Sequence, residues 1–435
     1  MTRQWFATIL CVIGLGLIVQ AGVAQANIED ILYEKGQITK EEWLKTKADH
    51  EKEEAIIQQQ AATKKWYDKI SIRGYIQLRY NVTDDRQLVS EYDSSIGNNK
   101  GFQFRRVRLV FSGDVTDWLS IYIQPEFGTS AGTGNNNFAQ LRDAYADIFL
   151  PMSYITSSLT DKELRIRAGQ SKVPFGFENL QSSQQRLALD RVDGLNSAVN
   201  GERDIGFFLY YTPTETKKLF RSLIEKGLKG SGDYGVLGIG VYNGQTLNVS
   251  EANDNKHVVL HATYPFELPY GQILQVGADA YKGLVNVTTA PGTGVTVPAG
   301  NVNVNDERVG AHLVLYPQPI GFQAEWNWGR GPQLNDARTA IQDRSLHGGY
   351  VQAMYKWNDA IPYVRYQEYY GGKKHRTNSP FNVVRELEVG LEYQFSKALE
   401  FTVAYAWMMK RTDTINAPYL PQDGEVLRFQ LQWNY

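Results

Sequence analysis

The chain has 435 residues, a formal net charge of −2 and a mean hydropathy of −0.39. Nothing after Ala26 is long and apolar enough for a transmembrane helix, which excludes a helical membrane protein. The nearly balanced charge gives no case for a nucleic-acid partner.

The N-terminus has the features of a secretory signal peptide. Arg3 supplies a positive charge, residues 7–19 form an apolar run, and residues 24–26 read Ala-Gln-Ala. A charged start, a short apolar stretch and a small-residue site are typical of a segment that is removed after export. Residues 1–26 are therefore predicted to be a cleaved signal peptide. Cys11, the only cysteine, lies within it, so the mature chain is expected to contain no disulfide.

Residues 27–67 are predicted to be a periplasmic helical segment. Thr39 and Glu42 have the spacing of a capping box, which starts a charged helix. The apolar stripe of this helix is broken, because a sustained heptad would need apolar residues at Lys45 and Lys52. A weak coiled coil and a solvated spacer both remain open as interpretations.

Residues 68–435 change to a period of two, which is typical of β-strands. Ile76 and Leu78, for example, alternate with Gln77 and Arg79. The polar faces of these strands carry several charged side chains. Burying such charges in a water-free core is costly, whereas contact with water is not. We predict sixteen strands, near 70–82, 102–115, 118–128, 140–150, 163–171, 204–212, 234–243, 256–265, 271–282, 306–316, 319–329, 347–357, 360–369, 384–395, 398–410 and 424–435.

The last strand and the connections indicate a membrane barrel. Phe429, Leu431, Trp433 and the terminal Tyr435 share one apolar face, as lipid contact requires. Short turns at 114–117, 316–319, 358–361 and 395–398 alternate with long polar loops, which include 84–101, 172–203, 283–305 and 330–346. The predicted fold is therefore all-β: a sixteen-stranded antiparallel transmembrane β-barrel preceded by a short helical segment, located in the bacterial outer membrane. Sixteen strands leave an aqueous lumen.

Three segments resemble the phosphate-selective porin O/P family. Residues 102–113 read FQFRRVRLVFSG, residues 141–145 read LRDAY, and residues 164–178 read LRIRAGQSKVPFGFE. They resemble the F-R-R strand, the D-A-Y strand and the G-Q-x-K-x-P-F-G-x-E segment of that family, in the same order. The resemblance implies a trimeric diffusion channel whose lumen is narrowed by an inward loop, here residues 172–203.

The resemblance also implies basic residues along the solute path. Arg105 and Arg106 match the paired arginines of the family, and Lys172 lies in the G-Q-x-K segment. Where phosphate-selective members have Ser-Ser-Lys, this chain has Ser182-Ser183-Gln184. A constriction cation is therefore expected to be absent here, which argues against strict phosphate specificity.

Two charged walls are predicted to line the lumen. Alternation turns Arg73, Arg79, Arg106, Arg108, Arg165 and Arg167 inward, and the family resemblance adds Arg105 and Lys172; together they form the predicted anion path. The predicted opposing acidic wall consists of Glu325, Glu386, Glu388, Glu392 and Glu400. The guanidinium groups could bind anions in passage, or they could pair with lumen carboxylates and only brace the wall. Both interpretations remain open.

No catalytic, cofactor or metal site is predicted. His257 and His261 are four residues apart, which on a strand is roughly 13 Å and too far for one metal ion. Two functions remain open: a porin for small hydrophilic solutes, with anions such as phosphate among the candidates, and a plugged barrel whose external loops bind partners. The expected partners are outer-membrane lipid, two further copies in a homotrimer, and ions or small solutes.

Overall fold

The computed structural model describes residues 32–33, 35–63, 66–83, 101–128, 138–152, 156, 159–160, 162–290, 292, 294–296, 303–413, 415–416, 420–421 and 423–435. The predicted signal peptide lies outside these residues. The chain divides into two compact units, Met1–Lys65 and Trp66–Tyr435. Within the described part, helices with the length and apolarity of a membrane span are absent.

The first unit contains helix α1, Lys40–Thr63. The N–H of Thr39 donates to Glu42 Oε2 at 2.8 Å, and the N–H of Glu42 donates to Thr39 Oγ1 at 3.3 Å. This reciprocal pair confirms the predicted capping box. The periplasmic location of the helix remains a prediction, and a weak coiled coil and a solvated spacer both remain open as interpretations.

The second unit begins with a 3₁₀ turn at Trp66–Lys69 and continues into strands. In chain order these are β1 (Ser71–Thr83), β2 (Gly101–Thr116), β3 (Leu119–Gly128), β4 (Phe138–Phe149), β5 (Leu164–Lys172), β6 (Arg203–Tyr211), β7 (Leu237–Tyr242), β8 (His257–Glu267), β9 (Ile273–Asn286), β10 (Asn303–Leu315), β11 (Ile320–Leu334), β12 (Ile341–Tyr355), β13 (Ala360–Gly372), β14 (Phe381–Ser396), β15 (Leu399–Asp413) and β16 (Gly424–Asn434). A two-residue strand, Leu420–Pro421, also pairs with β15.

The sheet closes on itself. Each strand is antiparallel to the next, and β16 pairs with β1 from Tyr75↔Asn434 to Thr83↔Val426. Closure leaves no edge strand, so backbone groups facing lipid find partners within the sheet. The sixteen-stranded antiparallel barrel predicted from alternation is confirmed.

The connections carry the remaining helices of the described chain. Helices α2 (Phe177–Leu180) and α3 (Asp193–Asn196) lie between β5 and β6, and α4 (Thr214–Glu225) lies between β6 and β7. A 3₁₀ turn at Pro269–Gly271 joins β8 to β9. Tight connections at 117–118, 268–272, 316–319, 356–359 and 397–398 share one end of the barrel, which we call the turn end. The opposite end is the loop end.

Some predicted boundaries were wrong at the loop end. Residues 330–346 were expected to be a loop, but β11 runs to Leu334 and β12 starts at Ile341. Both of these residues are buried in an apolar cluster with Val285, Val287 and Val304. Packing among strand ends therefore extends the sheet where the local pattern of residues is too polar to indicate strands.

Closure and lipid-facing alternation lead to a prediction about the isolated protein. The mature chain should fractionate with the outer membrane and migrate faster on gels before heating than after it, because the closed barrel resists detergent until heat opens it. Migration of unheated and heated samples measures this. Recovery as a soluble periplasmic monomer would contradict the assignment.

Candidate functional site

Residues 173–202, between β5 and β6, lie inside the barrel and reach the opposite wall. We call them the crossing loop. Arg308 Nη1 donates to Gly194 O at 3.0 Å, and Arg365 Nη1 donates to Glu178 Oε1 at 3.1 Å. Arg365 is on β13, eight positions from β5 in the ring of sixteen strands. The loop that the family resemblance expects to fold inward therefore spans a full diameter.

One half of the lumen is filled by apolar packing. Phe175 and Leu195 of the crossing loop are fully buried against side chains of β6 to β12. Each such side chain contributes about 1.5–3 kcal/mol when removed from water. The cluster consists of Val173, Phe175, Val192, Leu195, Ala198, Val199, Phe208, Tyr210, Tyr242, Val259, Tyr281 and Tyr350. The loop is thereby fixed to this half of the barrel wall.

Glu325 of β11 anchors the start of the loop. Its carboxylate accepts the N–H of Phe177 at 2.7 Å and the N–H of Glu178 at 3.0 Å. Gly176 precedes them with φ of 87°, and a Cβ there would lie 2.6 Å from Glu325 Oε1. Only glycine allows both that conformation and that approach. Glu325, predicted as part of an open acidic wall, therefore lies under the loop instead.

Asp190 fixes the far part of the crossing loop. Its carboxylate meets Arg79 Nη1 at 2.8 Å, Arg428 Nη1 at 2.7 Å and Arg105 Nη2 at 3.4 Å. Burial alone would raise the pKa of the Asp190 carboxyl, but these three guanidinium groups hold that pKa well below its usual range. One loop carboxylate thus compensates arginines from β1, β2 and β16.

Two β-bulges direct extra arginines into the lumen. The register between β1 and β2 shifts at Gln77/Leu78, where Arg105 is the extra residue of β2. The register between β3 and β4 shifts at Gln124/Pro125, and Arg142 is the extra residue of β4. A bulge lets two consecutive side chains share one face of a strand. Strict alternation would have turned Arg105 and Arg142 toward lipid.

Other arginines of the predicted anion path have carboxylate partners. Arg108 Nη2 lies 2.6 Å from Glu126 Oε1. Arg167 Nε lies 2.7 Å from Asp147 Oδ1, and its neighbour Arg165 reaches Asp233 at 2.6 Å. These contacts favour the interpretation that the arginines brace the wall.

Arg73, Arg106 and Lys172 differ in their surroundings. Arg73 is exposed near the turn end, 5.9 Å from the ring centroid of Tyr122. Arg106 Nη1 donates to Gln77 Oε1 at 2.8 Å, whereas its Nε is 4.0 Å from Glu126 Oε1. Lys172 donates to Asn179 O at 2.8 Å and Leu180 O at 3.2 Å. Lys172 therefore closes the base of the crossing loop.

The four remaining predicted carboxylates do not form one open wall. Glu386 accepts from Gln367 at 3.0 Å, and Glu388 accepts from the hydroxyl of Tyr363 at 2.8 Å. Glu392 pairs with Lys229 from the β6–β7 connection, while Glu400 stays partly exposed. Unpaired buried carboxylates are costly, so most of these acids have found local partners. The opposition of a basic and an acidic wall across the lumen therefore stays a prediction.

The remaining space is a cavity of about 460 Å³ beside the crossing loop. No strand from β6 to β12 lines it among the described residues. Five carboxylates line it: Glu126, Asp190, Asp193, Glu202 and Glu386. Ten permanently or normally cationic side chains line it: Arg105, Arg106, Arg108, Arg142, Arg191, Arg365, Lys373, Arg376, Lys410 and Arg428. The lining is therefore strongly basic.

Sequence reasoning missed several of these cations. Arg191 belongs to the crossing loop, and Lys373 and Arg376 belong to the β13–β14 connection, where no periodicity indicates direction. The run Lys373-Lys374-His375-Arg376 was nevertheless visible as a basic cluster in a predicted loop. Lys410 could have been found, because it continues the inward alternation of β15.

One group of described residues has the donor atoms of a metal site. Ligand atoms of Asp279, His312 and Glu325 lie within 4.8 Å of one another. Their oxygens already accept the N–H groups of the crossing loop, and Asp279 also bonds to His261. His257 takes a separate partner, Asp306, at 3.2 Å. The arrangement anchors the loop by hydrogen bonds.

Comparison with known proteins gives the following. Residues 76–435 match the family model described as phosphate-selective porin O and P. Curated proteins give no match. The fold is similar to an anion-selective porin from Comamonas acidovorans, with 10% identity, a TM-score of 0.50, and coverage of 84% of this chain and 99% of that chain. It is also similar to Salmonella typhi OmpF in complex with daunomycin, with 14% identity, a TM-score of 0.50, and coverage of 84% and 97%.

The contacts of Asp190 lead to a prediction about the crossing loop. Asp190→Asn should leave three lumen arginines without their shared carboxylate, at a cost of about 3 kcal/mol. The loop should then detach more often, and trypsin should cleave at Arg186 or Arg191 roughly tenfold faster or more. Asp193→Asn is the matched control, because Asp193 lies in the same loop, pairs with Lys373 rather than with Arg79, Arg105 and Arg428, and is partly exposed. Equal cleavage of both variants would contradict the role of Asp190.

Proposed function

Because the chain belongs to the phosphate-selective porin O and P family, we propose that it forms a homotrimeric outer-membrane channel that prefers small anions. Membership of this family supports the assignment as an outer-membrane porin. The preference for anions, the trimer and the solute path are the proposed parts. The basic cavity supports the anion preference and the solute path, and the family resemblance supports the trimer.

The observation that carries the anion preference is the excess of cations over carboxylates in the cavity. Ten Arg and Lys side chains face five carboxylates there. A guanidinium stays charged and can exchange water for anion oxygens in bidentate geometry. Several weak sites along a wall allow ions to enter and also to leave. Such a lining lowers the barrier for anions more than for cations.

Arg106 is the strongest candidate for contact with a passing anion. Among the described residues its only carboxylate within 4.0 Å is that of Glu126. Arg105 lies beside it, with a 3.4 Å contact to Asp190. These two arginines, which match the family's pair, thus have weaker carboxylate contacts than Arg108 or Arg167. We therefore assign the anion step to Arg105 and Arg106, and a bracing role to the more tightly paired arginines.

The proposal is for small anions in general rather than for phosphate alone. Gln184 occupies the position where the resemblance expects a lysine. Its side-chain amide donates to Asn434 Oδ1 at 2.9 Å. A neutral, hydrogen-bonded amide offers no fixed charge to select a multivalent anion. Reversal potentials with phosphate against chloride test this point directly.

A plugged barrel is the second candidate function. The crossing loop spans a diameter and is packed against half of the wall. That arrangement would also suit a barrel whose lumen is closed and whose external loops bind partners. Single-channel conductance distinguishes the two candidates, since a plugged barrel conducts no ions.

The assignment of Arg105 and Arg106 gives a selectivity prediction. Replacing both by Gln should shift the reversal potential in a KCl gradient toward cation preference, and Glu386→Gln should shift it the other way. Both shifts should shrink at 1 M salt, where the screening length is about 3 Å. Arg330→Gln is the control, because this exposed β11 arginine pairs with Asp343 outside the cavity. Wild-type selectivity of the Arg105/Arg106 variant at low salt would refute the assignment.

The position of the crossing loop gives a conductance prediction. Replacing residues 182–189 by a shorter Gly-Ser linker should raise single-channel conductance about twofold or more, because the narrowest water-filled section limits conduction. The replacement spares Asp190 and the apolar anchors Phe175 and Leu195. The same replacement in the external connection 335–340 should leave conductance unchanged. Unaltered conductance of a folded loop variant would show that the loop does not set the pore size.

A further inference from the structure

The connection between β6 and β7 departs from the pattern of the turn end. Five other connections at this end, 117–118, 268–272, 316–319, 356–359 and 397–398, are tight, and residues 150–163 form a connection of intermediate length. Residues 212–236 instead form a long segment that contains helix α4, Thr214–Glu225. A barrel strand pair needs no such insertion, since antiparallel neighbours can be joined by two residues. The segment therefore calls for an explanation of its own.

The apolar face of α4 points into the barrel end. Thr216, Phe220 and Leu223 follow helical spacing and are buried. Phe220 and Leu223 pack with residues at the turn ends of β9 and β10, namely Ile273 and Val314, and with Tyr316. Phe177 of the crossing loop belongs to the same cluster. The helix is thus fixed beneath the crossing loop.

The segment beyond α4 reaches the far wall. Lys229 Nζ pairs with Glu392 of β14, and both side chains are at most 2% exposed. Lys356 Nζ, just after β12, donates to Lys226 O at 2.9 Å. β14 is eight positions from β6 in the ring of sixteen strands, which places it opposite. Residues 212–236 therefore span a diameter at the turn end, as the crossing loop does further inside.

The two crossing elements are linked by a polar contact as well. Gln181 Nε2 donates to Lys229 O at 2.6 Å. Burying an ammonium and a carboxylate costs several kcal/mol for each ion, and the cost is offset only when the two meet in good geometry. The Lys229–Glu392 pair therefore holds only while the segment stays across the lumen.

We propose that residues 212–236 form a second barrier to permeation at the turn end, with Lys229–Glu392 as its closing contact. The barrier limits the size of solutes that leave the lumen after passing the crossing loop. Lys229 and Glu392 are in this sense specificity-determining residues. The inference rests on the proposed channel function, and the experiment below separates the two.

The test compares single-channel conductance and the size limit for polyethylene glycols in planar bilayers. Lys229→Met with Glu392→Gln removes both charges of the pair together, so that neither partner is left charged without the other. Conductance should rise about twofold or more, and larger polymers should enter the lumen. The exchange Lys229→Glu with Glu392→Lys should restore wild-type values, because it rebuilds the pair. Heat-dependent gel migration verifies that each variant is folded.

Lys218→Met is the matched control. Lys218 lies on the exposed side of α4 and pairs only with Glu215 of the same helix among the described residues. The Lys218→Met variant loses one positive charge, as Lys229→Met does, but it breaks no contact across the barrel. We therefore expect it to conduct like the wild type.

The outcomes distinguish the barrier from the channel. If the wild type conducts and the neutral pair matches it in conductance and size limit, the barrier is overturned and the channel function stands. If the wild type is silent and the neutral pair conducts, the barrier is supported and the native protein is closed. Silence of all variants would overturn both.

Discussion

Compensation of buried arginines governs the interior of this barrel. A guanidinium in a narrow lumen cannot lose its proton, so it must meet a carboxylate, a passing anion or water. Asp190 is an example of a carboxylate partner: its Oδ2 atom lies 2.8 Å from Arg79 Nη1 and 2.7 Å from Arg428 Nη1. These pairs join strands at the closing seam to a loop that starts at β5, about a quarter of the ring away. Charge pairing thus fixes the loop as firmly as apolar contact does.

The lumen is consequently asymmetric. Phe175 and Leu195 of the crossing loop are buried in an apolar cluster with side chains of β6 to β12. The opposite half contains a cavity of about 460 Å³. Nearly all of the charged side chains that line this cavity belong to the crossing loop, to β2 to β4 and to β13 to β16. Water in a polar cavity lets incompletely paired cations such as Arg106 persist. A pore in this protein would therefore be an off-centre passage beside the loop.

Carboxylates on the barrel wall bind the segments that cross the lumen. Glu325 holds the backbone amides of Phe177 and Glu178, and Glu392 holds Lys229. Both acids come from the wall that sequence reasoning assigned to an open acidic surface. Their positions show that inward-facing carboxylates of this barrel bind segments that enter the lumen from other strands. The field inside the cavity is then set by the cations that these insertions leave incompletely paired.

The sequence by itself determined the fold class, the number of strands and the direction of most side chains. These properties follow from a period of two, which each strand carries locally and which lipid on one side and water on the other enforce. The capping box at Thr39 and the inward direction of Arg79 and Arg108 are of the same local kind. Family resemblance added the inward loop.

Only tertiary structure decided how that loop is held and what the charges contact. The bulges at Arg105 and Arg142 depend on a register shift between two strands, which a single strand does not encode. The partners of Asp190, Glu325 and Lys229 are brought together by closure of the ring, and residues so distant in the chain have no periodicity in common.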